Sequence, residues 1–304
     1  MMRVLFLILI PLACLLGCSD GDAPSEQSGS TRIVVLSPAA ADILVDLDRD
    51  RLIVGRHNFD TQLDSSIPAV GDQSTIDYEM LLSLDPSHVI VQTESQPIPA
   101  RLEELAESAD FQIINISTLS LDDVLATTRV LERQFAPDAD LAKRFQNSIR
   151  QRTGVTTIEG GVLVAMYCSP TVDVLGPGSA HQEIIERLGY APAITDGKPY
   201  MPLDAEDVLA INPGVIVLVQ PRDEKVGPSS ALPNSDQLGI LSGLEMDAVT
   251  EGRVILIEDS QALTSGTSLI GVIEKLERQL EALSPLGSQH DDDQDRDNTE
   301  ARPG

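Results

Sequence analysis

Between Arg32 and Leu286 the chain alternates short runs of β-branched residues with stretches whose apolar positions recur at helical spacing. The strand-like runs are "RIVVL" (32–36), "RLIVG" (51–55), "HVIVQ" (88–92) and "FQIINI" (111–116) in the first half. The second half offers "GVLVAMY" (161–167), a weaker "APAIT" (191–195), "GVIVLVQ" (214–220) and "RVILIE" (253–258). Continuous apolar strands separated by helices predict mainly parallel sheets covered on both faces. Helices are expected at 39–47, 77–84, 98–108, 178–189, 204–210 and 234–241, each started or stopped by Pro, Gly, Asp or Asn.

One passage is written twice. "DYEMLLSLDPSHVIV" (77–91) returns as "DAEDVLAINPGVIVL" (204–218), with Asp, Glu, Leu and Pro in register. The likeness extends outward: each half runs strand, Ser-Pro, helix, strand, excursion, acidic helix, Pro turn, strand. The Ser-Pro pairs are Ser37-Pro38 and Ser169-Pro170, each standing between a strand and the next expected helix. Two similar α/β lobes follow from this, at 32–118 and 154–286. Between them, 119–153 reads as connecting helices broken at Pro137, with Leu121, Val124, Leu125, Leu141, Phe145 and Ile149 on apolar faces. The chain thus crosses between the lobes once, through a helix rather than a loose linker. A closing helix over 268–283 carries Leu269, Val272, Ile273, Leu276, Leu280 and Leu283 on one face.

The ends differ from this body. Arg3 precedes the apolar run "VLFLILIPLACLL" (4–16), too short for a comfortable membrane span, and "LLGC" closes it at Cys18. This resembles a bacterial lipoprotein signal: 1–17 would be removed and Cys18 lipidated, anchoring the protein on the periplasmic or cell-surface side of a bacterial membrane. An ordinary secretory signal is the alternative. Residues 18–31 read as a flexible tether, and 287–304 as a disordered acidic tail. With Cys14 removed and Cys18 lipidated, Cys168 is left without a disulfide partner.

Charge and motifs narrow the function. A formal net charge of −27 excludes nucleic acid, which needs clustered Lys and Arg. Hydrolase, zinc-protease and phosphate-loop patterns are missing from the sequence, so no enzyme and no resident cofactor are expected. Cys168 and His181 could be drawn as a thiol and its base, but no motif supports the pair.

The passages at 32–47, 67–91, 204–218 and 251–259, in this order and spacing, resemble the helical-backbone periplasmic binding proteins. These are substrate receptors of ABC importers for iron–siderophores, cobalamin and haem. The resemblance covers 32–283 and implies a monomeric receptor with a ligand cleft between its lobes that delivers a metal chelate to a permease dimer. It also implies a role for the repeated carboxylate: Glu79 and Glu206 would each face one basic pocket of the two-fold permease. The plainer alternative is that both are first-turn glutamates favoured by a helix dipole. A surface lipoprotein that senses its ligand without transport would share the cleft and need no docking pair.

Ligands of open α/β sheets bind beyond the carboxyl ends of the strands. That rule selects Ser37, Arg56, His57, Phe59 and Asp72 in the first lobe and Tyr167, Tyr200 and Arg222 in the second, together with Cys168, Ser169 and the rest of loops 56–60, 93–97, 196–200, 220–224 and 259–266. The resemblance says more about the ligand. Many haem receptors carry Tyr after the Val-Gly before the first acidic helix, where this chain has Asp72. Many siderophore receptors add Trp and Arg, and this chain has no Trp. A bare divalent metal would need His57, Asp72, His181 and Asp259 to converge.

Overall fold

The computed structural model describes residues 30–72, 74–94, 96–153, 157–222 and 233–283. The signal segment, Cys18 and the acidic tail lie outside the described residues, as does the tether up to residue 29. Among the described residues no helix is long and apolar enough to cross a membrane.

The first lobe contains β1 (Ile33–Leu36), α1 (Pro38–Asp46), β2 (Ile53–His57), β3 (Ala69–Gly71), α2 (Tyr78–Ser83), β4 (His88–Gln92), α3 (Ala100–Ala109) and β5 (Gln112–Ile116). Its strands form one parallel sheet in the order β3-β2-β1-β4-β5. All four residues of β1 are buried, because strand side chains point alternately to the two faces and helices cover both. Ile33 and Val35 enter a core with Ile43 and Leu44 of α1, while Val34 and Leu36 enter another with Val70, Leu81 and Leu102.

The second lobe contains β6 (Val162–Tyr167), β7 (Val172–Leu175), α6 (Ala180–Arg187), β8 (Tyr200–Leu203), α7 (Ala205–Ile211) and β9 (Val215–Pro221). After it come α8 (Ser235–Leu238), α9 (Asp247–Thr250), β10 (Val254–Asp259) and α10 (Leu269–Leu283). The sheet order is β10-β9-β6-β7-β8. Strands β10, β9 and β6 run parallel, whereas β7 pairs antiparallel with both β6 and β8.

Three strands were not expected, and one expected strand is missing. Residues 191–195 make only an isolated bridge between Pro192 and Val162. Ser169-Pro170 does not open a helix; it turns the chain from β6 into the antiparallel β7. The physical reason lies downstream of each Ser-Pro. "AAADILVDL" offers helix-forming alanines and a helical apolar stripe, while "TVDVLGPG" alternates β-branched with polar residues and ends in a turn.

Two further helices, α4 (Leu121–Phe135) and α5 (Leu141–Ser148), belong to both cores. Ser120 and Asp123 form a capping box that starts α4. Leu121, Val124 and Leu125 pack with Val162, Val164 and α10 of the second lobe, whereas Leu131 packs with β1 and α1 of the first. Likewise Leu141 enters the first core while Ala142, Phe145 and Ile149 enter the second.

A second attachment joins the lobes at the start of α10. The buried Asp42 of α1 accepts from Ser268 N–H at 2.8 Å, and Asp46 accepts from Thr267 Oγ1 at 2.7 Å. Gly266 makes this approach feasible, since a Cβ there would lie 2.3 Å from Asp42 Oδ2. Burial pushes the Asp42 carboxyl up to about 6, outweighing the hydrogen bonds from Ser268.

Candidate functional site

A cleft of about 750 Å3 is lined by residues of both lobes. From the first come Pro38 and Ala39 at the start of α1, His57, Phe59, Asp72, Gln92 and Glu94, and Thr118 and Leu119 just before α4. From the second come Tyr200, Pro221, Ser260 and the stretch from Leu263 to Ser265.

The first-lobe wall is built by strand ends and tight turns. Gly71 closes β3 with φ of 141°, where a Cβ would come within 2.2 Å of the Thr75 carbonyl. Asp72 follows, and its Oδ1 accepts from Ser74 and Thr75 N–H at 2.8 and 2.9 Å. Those bonds hold its carboxyl below the usual range, so it stays ionised at neutral pH. Glu94 has a left-handed backbone (φ 49°) and takes hydrogen bonds from Gln92 Nε2 (2.7 Å), Ser117 Oγ and Thr118 N–H. His57 Nδ1 accepts from Phe59 N–H at 3.1 Å, which places the proton of the neutral ring on Nε2. Burial holds this imidazole below its ordinary range, against the pull of Asp72 and Asp60. Phe59 leaves its ring 74% exposed at the mouth, tilted against His57 at 5.7 Å.

On the opposite wall, Tyr200 is the first residue of β8 and 48% exposed. Burial of its polar end raises the phenol above its ordinary range, opposed by a hydrogen bond with Ser265 and reinforced by the charge of Glu94. That coupling brings the two walls into electrostatic contact. A smaller side pocket of about 380 Å3 lies in the first lobe. It shares Asp72, Ser74, Gln92 and Glu94 with the cleft, and Leu36, Ile76, Val91, Pro97 and Pro99 give it apolar walls.

Of the residues selected from sequence, His57, Phe59, Asp72 and Tyr200 line the cleft. Ser37 is buried, capping α1 through Ala40 N–H and donating to Gln92 Oε1 at 2.6 Å. Arg56 turns to the carbonyls of Ile67, His57 and Asp60, where it braces the loop after β2. Tyr167 is 46% exposed outside the cleft lining, and Arg222 lines an adjoining depression with Asp259 and Lys275. Gln92, Thr118 and Leu119 were missed, although the strand-end rule reaches them: Gln92 ends β4 and Thr118 follows β5.

The four residues considered for a bare metal are not gathered. His181 is buried on α6, donating from Nε2 to the Ala262 carbonyl at 2.8 Å, and Asp259 pairs with Lys275 Nζ at 2.8 Å. Among the described residues no group of three or more His, Cys, Asp or Glu is placed to hold a metal ion. Cys168 is buried, and burial with the charge of Asp173 pushes its thiol up to about 12, far from a reactive thiolate.

The repeated acidic motif occupies equivalent places in the two lobes. Asp77 caps α2 by accepting from Met80 N–H, and Asp204 caps α7 by accepting from Asp207 N–H. Glu79 and Glu206 are the second residues of α2 and α7, inside the first turn, and both are exposed.

The sequence profile of the periplasmic binding protein family matches residues 33–260. The chain belongs to that family. No functionally curated protein matches it. Solved structures share the fold at low identity. The periplasmic heme-binding protein RhuT from Roseiflexus sp. RS-1 is 22% identical, with a TM-score of 0.64 over 84% of this chain and 100% of that one. The periplasmic heme-binding protein HutB of Vibrio cholerae is 19% identical, with a TM-score of 0.63 over 84% and 100%. The vitamin B12 binding protein BtuF of Vibrio cholerae is 19% identical, with a TM-score of 0.61 over 83% and 96%.

Proposed function

We infer that this periplasmic binding protein is the receptor of an ABC importer, capturing a metal chelate in the interlobe cleft and presenting it to a permease dimer. The observation that carries the reading is the cleft itself. It offers about 750 Å3 between two lobes, with aromatic surface from Phe59 and Tyr200 and polar groups from both walls. Solved structures of the same fold bear names of heme- and vitamin B12-binding proteins, which supports a chelate-sized ligand. Capture is binding and release with no covalent step.

Glu79 and Glu206 are proposed as the permease contacts, one from each lobe. Exposed charges at helix starts add little affinity singly but set register and encounter rate. Cys18 is proposed as the lipid anchor, holding the receptor at the extracytoplasmic face beside its transporter. A surface lipoprotein that only senses its ligand would keep the anchor and need no docking pair.

Thermal-shift screening tests the reading, using cobalamin, ferric hydroxamates, ferric citrate, haemin and divalent metals. A true ligand well above its dissociation constant raises Tm by mass action. The reading fails if no chelate moves the transition. Reversing both Glu79 and Glu206 to Arg is expected to leave chelate affinity unchanged and abolish import; lost binding would instead assign the pair to the cleft.

A further inference from the structure

We propose that the acidic run "DDDQDRD" (291–297) of this same chain docks on an exposed cationic face formed by α4 and α5, covering the helices that join the lobes. The proposal does not depend on what the cleft binds.

The face runs against the character of the molecule. In a chain of formal net charge −27, the stretch 129–152 carries six basic residues against three acidic ones. Arg129 and Arg133 on α4, Lys143 and Arg144 on α5, and Arg150 just beyond α5 are all exposed. Among the described residues none of these five takes part in an ion pair. The two helices hold the cations together. Arg129 reaches across to Gln146 Oε1 at 3.1 Å, and Arg133 stands one turn on, donating to the Arg129 carbonyl at 3.2 Å. Like charges four apart on a helix repel, a cost that an anion lying against both relieves.

The neighbouring acids are engaged or set apart. Glu132 accepts from the Ala142 N–H at 2.7 Å, and Asp122 pairs with Arg187 near the start of α4. Asp138 and Asp140 stand in the turn between the helices.

The acidic run belongs to a segment that leaves the fold beside this face. Arg152, two residues past Arg150, holds Glu277 of α10 through two bonds of 2.7 and 3.0 Å. Glu281, one turn further along α10, also acts on Arg152 through its charge. The end of α10 at Leu283 is therefore close to the end of α5. Eight positions separate Leu283 from Asp291, enough to span up to about 27 Å when extended. Lys143 and Arg150 are about 10 Å apart at the helical rise, well within that reach. A segment tethered so near is present at an effective concentration on the order of millimolar, so even a millimolar contact is filled about half the time. Most of an acidic body repels five aspartates in seven positions, and this face attracts them. With its own run in place, the face is closed to other polyanions.

Zero-length coupling on the unaltered full chain tests this. A carbodiimide joins a lysine amine to a carboxylate that touches it, and peptide mass spectrometry locates the product. Lys198, exposed in the second lobe and without an ion pair, is the control. At about 20 mM salt the run 291–297 is expected to couple to Lys143 about tenfold more than to Lys198, and the excess should vanish by about 500 mM. Arg129→Gln combined with Arg133→Gln leaves Lys143 in place and is expected to lower the yield several-fold. An equal mixture of unlabelled and isotope-labelled chains should give products of a single label, because each face takes its own chain's run. No excess at Lys143, an excess indifferent to salt, or products of mixed label would overturn the proposal. So would loss of the coupling on adding phosphatidylglycerol vesicles, which would give the face to lipid.

Discussion

The two lobes begin from the same sentence and finish it differently. In the first, every strand runs parallel and the Ser-Pro after β1 opens a nine-residue helix. In the second, the Ser-Pro after β6 leads into an antiparallel excursion through β7 and β8. That excursion carries Tyr200 to the cleft, while the first lobe supplies Asp72 and Glu94. One lobe therefore provides the charge and the other a phenol and neutral hydroxyls. The lobes share the sheet-and-helix scaffold and the acidic helices, and their different paths after one dipeptide make the walls unlike.

The largest test of this comparison asks whether the lobes are energetically separate. Leu121 and Leu131 are fully buried on α4, one in each core. Each change to Ala is expected to cost about 2–5 kcal/mol, lowering a single calorimetric transition because both cores share the helix. Two transitions, each moved by only one variant, would show that the helix does not couple them.

The next test concerns the second attachment. The Asp42 carboxyl titrates near 6 in the folded protein, above its ordinary 3.8, so the native state binds more protons across that interval. Its contribution to stability is therefore greatest below the unfolded value and is lost as pH rises through about 6, by about 3 kcal/mol in all. Asp42→Asn keeps an acceptor for Ser268 N–H, and its amide N–H faces Gln62, whose Nε2 donates to Asp42 Oδ1 at 3.4 Å and whose amide turns over in the variant to present Oε1. Denaturant midpoints should show the variant more stable than the parent at pH 7.5, with the gap narrowing at pH 4.5. A gap that does not change with pH would contradict this electrostatic account.

A smaller effect separates the two acids of the repeated motif. Asp77→Ala and Asp204→Ala each remove an N-cap and should cost about 1 kcal/mol. Glu79→Gln and Glu206→Gln should cost only a few tenths of a kcal/mol. Chemical denaturation of the four variants decides it, and equal losses would mean that the glutamates also have structural partners.

The central strands were legible because they are continuous apolar runs buried on both faces, as in "IVVL" and "VIVLV". Strand β3 has three residues at a sheet edge, and β8 is half-exposed and contains Pro202, so neither left an apolar run to read. At the site, the strand-end rule reached His57, Phe59 and Asp72. Tyr200 was reached through an expected strand at 191–195 that does not form; it opens a different one. Ser37 and Arg56 show where composition misleads. A serine hydroxyl caps a helix as readily as it meets a ligand, and a guanidinium satisfies loop carbonyls as readily as an anion. Which of these happens depends on the neighbours that folding brings in, such as Gln92, fifty-five residues away.

Two bodies fastened at separate places retain one easy rotation, about the line through the fasteners. Here the fasteners are α4, whose leucines are shared between cores, and the Asp42–Ser268 clasp. Any wider swing would tear a core or strip a buried carboxylate of its donor, so the span of the gap varies only as far as that one rotation allows. Size discrimination then comes before chemical recognition: a guest too bulky for the span is refused at the threshold, however well its groups would suit the walls.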